Sequence, residues 1–113
     1  MSGVTTHVLD LAAGRPAAGV AVRLERQADG TWQSVGQGTT DADGRLRDLV
    51  PAGADLETGR YRLTFATGPY FAASGIASFH PEVAVAFEVA APREHHHVPL
   101  LVSPFGYTTY RGS

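Results

Sequence analysis

The sequence predicts an all-β fold, a sandwich of two antiparallel sheets with one short helix, and three observations predict it. Apolar and polar residues alternate with a period of two through most segments, as in Val20-Ala21-Val22-Arg23-Leu24-Glu25-Arg26, which is the repeat of a strand with one face buried. These segments are short and rich in β-branched and aromatic residues, and Gly, Pro and Asp turn signals separate them. Only one stretch carries the punctuation of a helix, and it has room for one or two turns at most.

Taken in order, Val4 to Leu11 reads as the first strand. Gly14-Arg15-Pro16 turns the chain into the second, Val20 to Arg26. Asp29-Gly30 is a hairpin signal leading into Trp32 to Gly38. Asp41-Ala42-Asp43-Gly44 turns into the short Arg45-Leu46-Arg47, and Val50 to Gly59, rich in Pro, Gly and Asp, is a loop. Arg60 to Thr67 has strong β composition, with Tyr61, Leu63 and Phe65 on one face. The helix is expected over Pro69-Tyr70-Phe71-Ala72-Ala73-Ser74-Gly75, with proline near its start and glycine at its end. Val83 to Val89, His95 to Val102 and Tyr107 to Tyr110 complete the set, roughly seven or eight strands.

With 113 residues, 43% of them hydrophobic, one domain spanning residues 1–113 around one core is expected. A net charge of −2, a pI near 6.2 and scattered basic residues offer no field for polyanions, which argues against nucleic acid as a partner. No run reaches the ~18 apolar residues of a membrane span. Met1-Ser2-Gly3-Val4 lacks the basic patch and apolar stretch of a secretory signal, so a cytoplasmic protein is expected. Without cysteine there is neither a disulfide framework nor a thiol nucleophile.

The C-terminal stretch is more informative than composition. The apolar, proline-punctuated run from His97 to Tyr107 reads as packed structure almost to the last residue, and Tyr110-Arg111-Gly112-Ser113 comes directly after it. Tails usually fray, because a few polar residues cannot offset the entropy of being ordered. A core held this close to the end instead delivers Arg111, the Ser113 hydroxyl and the terminal carboxylate to a fixed location. A guanidinium, a hydroxyl and a carboxylate together suit a small polar ligand.

In the first half, Pro16-Ala17-Ala18-Gly19-Val20, Thr40-Asp41-x-Asp43-Gly44-Arg45 and Gly59-x-Tyr61-x-Leu63 resemble a widespread prealbumin-like sandwich pattern. Its elements are turns, alternating core residues and a tyrosine over the sheet edge, so it argues fold and not function. A narrower resemblance covers essentially the whole chain. Thr5-Thr6-His7-Val8-Leu9-Asp10, Asp43-Gly44-Arg45, Gly68-Pro69-Tyr70-Phe71, His80-Pro81-Glu82-Val83, His95-His96-His97-Val98-Pro99-Leu100-Leu101 and the Tyr-Arg-Gly-Ser ending resemble the 5-hydroxyisourate hydrolases, the enzyme branch of the transthyretin family. The ending is the part that the hormone-carrying transthyretins lack. The resemblance implies a transthyretin-like sandwich, a homotetramer with active sites at a subunit interface, and an oxidised purine as substrate. It makes His7, Arg45 and His97 catalytic, with Ser113 beside them and Tyr110, Arg111 and Gly112 contacting substrate, without metal or other cofactor. One position departs from the pattern: His96 stands where the enzymes commonly have an aromatic residue.

Strand parity bears on the histidines. His95, His97, Pro99 and Leu101 share one face, while His96, Val98 and Leu100 share the other. Parity does not say which face is core; the match to the enzyme motif selects His97. His7 lies with Thr5 and Leu9, opposite Thr6, Val8 and Asp10, so both histidines can project from one surface if their strands are neighbours.

Hydrolytic ring opening needs a base for water, stabilisation of the carbonyl oxygen as it gains charge, and a proton for the leaving nitrogen. A histidine titrates near neutrality and can serve as base and then acid, which leaves His7 and His97 both open for that role. Arg45 offers a planar fork to the carbonyl edges and the oxyanion. Each residue also has a plainer reading: a solvated strand histidine, a hairpin charge, a surface histidine triplet. Their joint occurrence with the ending favours the enzyme. Three other readings compete. A zinc hydrolase would use His7, His80, His95 or His97, although no acidic residue stands ready to orient a ligand imidazole. A non-catalytic carrier of the transthyretin type would have no use for the polar cluster. Calcium at Asp41-x-Asp43-Gly44 lacks the further ligands of an EF-hand loop.

Overall fold

The computed structural model describes residues 3–113, so the expectation resting on Met1 and Ser2 lies outside the described residues. The elements are β1 (Gly3–Asp10), β2 (Arg15–Pro16), β3 (Ala21–Ala28), β4 (Thr31–Thr39), β5 (Arg45–Leu46), β6 (Gly59–Phe65), α1 (Thr67–Ala72), β7 (Val83–Val89), β8 (His95–His97), β9 (Leu100–Ser103) and β10 (Gly106–Thr109). They form the expected sandwich. One sheet has the order β4-β3-β6-β7, and the other runs β10-β9-β1-β2 with β5 and β8 also paired to β1.

Alternation builds the core. Along β1 the residues Val4, Thr6, Val8 and Asp10 are buried and those between them half-buried. Leu24, Tyr61, Leu63, Phe65 and Phe71 meet Val4, Val8, Leu100 and Val102 in one apolar cluster between the sheets. Each large side chain fully buried there contributes about 2 to 3 kcal/mol of transfer free energy. Tyr61 is buried as its position in the prealbumin-like pattern suggested; its hydroxyl donates to the Glu57 carbonyl (2.7 Å) and accepts from the Glu57 N–H (3.1 Å), closing the Val50 to Gly59 loop.

The structure refines four local expectations. Within the otherwise antiparallel sandwich, β1 runs parallel to β8 and β9, because the chain reaches them from the opposite sheet by a crossover and not by a hairpin. Arg15-Pro16, read as a turn, is a two-residue strand pairing with Leu9 and Asp10. His95 to Val102 is split around Val98-Pro99, since Pro99 has no N–H for the ladder, but the register with β1 is kept on both sides: Thr5 opposite His97, Val8 opposite Leu100. The helix begins two residues before Pro69, whose missing N–H falls in the first turn, where intrahelical partners are absent anyway. It closes through Gly75 N–H to the Ala72 carbonyl (2.9 Å) and Ile76 N–H to that of Phe71 (3.0 Å).

Asp10 ties the end of β1 both to the turn after it and to α1. One carboxylate oxygen accepts the N–H groups of Ala12 and Ala13, and the other accepts the Tyr70 hydroxyl at 2.8 Å. Burial first, and the Asp10 carboxylate second, push the Tyr70 hydroxyl up to about 12, so it remains a donor to α1's anchor at any physiological pH.

Candidate active site

β1 is the spine of the site. On its outward face His7 is the cross-strand partner of Arg45 in β5, and Thr5 is the partner of His97 in β8, so residues from three strands share one surface. Parity is decided in the same stroke: His96, 5% exposed, points with Val98 and Leu100 into the core, and His95 and His97 point out.

The turn before Arg45 is built to present it. The Asp41 carboxylate accepts the N–H groups of Asp43 (2.9 Å) and Arg45 (3.0 Å). The Arg45 N–H chiefly, aided by that of Asp43, holds this carboxyl below its usual value. Asp41-x-Asp43-Gly44 is therefore a turn device whose carboxylate is already committed to backbone, not a calcium loop. Gly44 takes a φ of +75°, and a Cβ there would lie 2.4 Å from the Val8 carbonyl oxygen, so only glycine lets the turn close on β1. The exposed Asp43 carbonyl in turn faces His7 Nε2 at 2.9 Å. A carbonyl only accepts, so Nε2 carries the proton and His7 is fixed as a donor on that side.

The tail returns to this surface. The Gly112 N–H donates to the His97 carbonyl at 2.8 Å and forms an isolated bridge with it. The contact is close: a Cβ on residue 112 would stand 2.5 Å from Cδ2 of the His97 ring. Ser113 then lines a cleft of about 280 Å³ together with Thr5, Arg45, Arg47, His95 and His97. Arg45, His97 and Ser113 share this cleft, while His7 is not among its lining residues and stands beside it as the cross-strand partner of Arg45. Tyr110 and Arg111 do not line this cleft; they border a second depression with His96, Val85 and Phe87, and Arg111 pairs with Glu94 at 3.1 Å. His80 lies elsewhere, edge-on to Phe79 and Tyr107. Among the described residues no group of three His, Asp or Glu side chains is disposed to hold a metal ion.

His97 Nδ1 lies 2.8 Å from the Thr5 hydroxyl, and among the described residues its Nε2 has no protein partner. Burial above all, and then the charges of His95, Arg45 and His7, lower the affinity of His97 for a proton. A histidine kept neutral, with an unengaged ring nitrogen beside an arginine and a hydroxyl, is equipped to take a proton from water. Sequence reasoning assigns Thr5 and Arg47 no role in the site and names His95 only as a possible zinc ligand. Period two was the available signal, because Thr5 shares a face with His7, Arg47 with Arg45 and His95 with His97.

The chain matches the HIUase/Transthyretin family over residues 4–112. It belongs to that family. It is 52% identical over 117 residues to the 5-hydroxyisourate hydrolase of Caulobacter vibrioides, covering 100% of both chains. Among solved structures it is similar to the 5-hydroxyisourate hydrolase of Klebsiella pneumoniae, with a TM-score of 0.87, 38% identity and 100% of both chains covered. It is similar also to transthyretin from Sparus aurata, with a TM-score of 0.90, 34% identity, and 99% and 97% covered. The fold fits hydrolase and transthyretin equally well, so the distinction between them lies in the residues of the cleft. No helix among the described residues is long and apolar enough to cross a membrane.

Proposed function

We propose that this chain hydrolyses 5-hydroxyisourate, a flat oxidised purine, opening its six-membered ring at an acyl C–N bond to give 2-oxo-4-hydroxy-4-carboxy-5-ureidoimidazoline in urate breakdown. The observation that carries the reading is the register of β1, which sets His7 against Arg45 and Thr5 against His97 beneath Ser113, in a chain half identical to a hydrolase of that name.

In this reading water attacks the ring carbonyl while His97 accepts its proton at Nε2. The Arg45 fork binds the oxygen that gains charge, and His7, its Nε2–H engaged by the Asp43 carbonyl, stands beside Arg45 as its cross-strand partner. His97 then returns the proton to the ring nitrogen as the C–N bond breaks, so no covalent intermediate is required. Ser113 orients the substrate from the cleft lining, with the Gly112 N–H holding the tail to the His97 carbonyl. Arg47 supplies a second cation on the cleft wall. Tyr110 and Arg111 reach substrate, in this account, across a subunit boundary. This goes with a homotetramer, supported by large apolar side chains left open in one protomer: Phe79 and Phe105 are each 72% exposed and Tyr107 is 43% exposed. The cytoplasm is the proposed compartment, in keeping with a cysteine-free chain.

The test is direct. The ultraviolet absorbance of freshly generated 5-hydroxyisourate is monitored with and without chelator-treated protein. Acceleration in proportion to protein supports the hydrolase, and an unchanged decay favours a carrier. Sedimentation at micromolar concentration checks the tetramer, and a monomer alone would contradict it.

A further inference from the structure

The Thr5 hydroxyl stands 2.8 Å from Nε2 of His95 and 2.8 Å from Nδ1 of His97, with the two rings 6.3 Å apart. A hydroxyl has one proton to give, so it donates to one of these nitrogens and accepts from the other. Only two arrangements satisfy both bonds. In the first, Thr5 donates to His95 and His97 carries its proton on Nδ1, leaving Nε2 as a bare lone pair. In the second, Thr5 donates to His97, and the proton of His97 sits on Nε2. The first makes His97 a base toward the cleft and the second makes it an acid.

We propose that Thr5 and His95 form a relay that switches His97 between these two states during the reaction. As water gives a proton to His97 Nε2, the Nδ1 proton passes to Thr5 and the Thr5 proton to His95 Nε2. The cation then rests on His95, which is exposed, and not on His97, which is half-buried beside Arg45, Arg47 and His7. When the ring nitrogen leaves, the same protons run back: Nε2 protonates it and His95 returns its proton through Thr5. Nothing is gained or lost over the cycle. The relay explains why a histidine hemmed in by positive charge does not have to hold a proton itself, and it gives the exposed member of the histidine pair a task.

The proposal rests on the hydrolase reading, so its test keeps the two apart. Thr5→Val removes the hydroxyl at nearly constant shape and Thr5→Ser keeps it; His95→Gln acts at an exposed position where folding is not at stake. The relay predicts that kcat falls at least about tenfold in Thr5→Val and His95→Gln with KM little changed, and that Thr5→Ser recovers most of it. A kcat within about threefold of the parent in folded Thr5→Val, or in His95→Gln should the valine variant not fold, overturns it. The second readout needs no substrate. Titration of His95 shifts the ring-nitrogen resonances of His97 in the parent and in Thr5→Ser, and the coupling disappears in Thr5→Val. Persistence of the coupling without the hydroxyl also overturns the relay, whereas a parent that leaves 5-hydroxyisourate untouched counts against the hydrolase reading alone.

Discussion

Gly112→Ala is the smallest change that tests the role of the tail. The added Cβ would lie 2.5 Å from His97 Cδ2, 3.2 Å from Cγ and 3.3 Å from Pro99 Cγ. Carbon atoms rest at about 3.5 to 4.0 Å, so ring and tail must separate by about 1 Å. Whichever moves, the Gly112 N–H loses its alignment with the His97 carbonyl and Ser113 shifts relative to the His97 ring. Loss of that hydrogen bond costs about 1 kcal/mol, or a melting temperature lower by about 4 °C for a domain of this size. A misplacement of about 1 Å in a positioned group costs on the order of 100-fold in rate. The expected variant is thus folded and nearly inactive, as read by a melt alongside the initial rate of 5-hydroxyisourate loss. A kcat/KM within about twofold of the parent would refute the claim that the tail positions the site.

The same geometry sets three further outcomes. Arg45→Lys keeps the charge but loses the planar fork, and kcat is expected to fall on the order of 100-fold; unchanged turnover would remove Arg45 from the oxyanion. Since His97 is held below the usual histidine value of 6.5, the acid limb of kcat/KM should lie below that pH, and a limb at higher pH would exclude His97 as the base. Burial lowers His96 as well as His97, so the unfolded chain takes up these protons first: stability is complete above the unfolded value of 6.5 and erodes as pH falls below it. His96→Phe removes a buried Nδ1 that has no partner among the described residues; it should raise stability by about 1 kcal/mol and flatten that acid loss in denaturant melts, and an unaltered pH dependence would clear His96 of the effect.

Much of this was legible because strands carry their geometry in their parity. Period two in Val4 to Asp10 and in His95 to Leu101 was enough to say that His7 and His97 could share a face, and the burial of His96 decides which face that is. The sandwich was readable from alternation and turn signals. What escaped was non-local or depended on a single atom. Parallel pairing of β1 with β8 and β9 is set by a crossover between sheets, to which local pattern is blind. The interruption at Pro99 and the two-residue strand at Arg15-Pro16 depend on which N–H groups find partners. Parity placed Thr5 on the His7 face, but that two imidazole nitrogens meet on its hydroxyl depends on rotamers that the sequence does not carry. Tyr110 and Arg111 lie close to Ser113 in sequence, yet they border a different depression, with His96, Val85 and Phe87, which strand parity does not foretell.

If the tail from Arg111 to Ser113 completes a hydrolytic site built on β1, its removal should abolish activity and spare the fold. The full chain and a chain ending at Tyr110 should be compared for the rate at which they remove 5-hydroxyisourate absorbance above its spontaneous decay. The core strands all lie upstream, and the Arg111–Glu94 pair, 62% exposed on both sides, contributes little to stability, so both forms should melt cooperatively. The full chain is expected to accelerate the decay and the shortened one to leave it near the spontaneous rate. Full activity in the shortened chain would contradict that role for the tail.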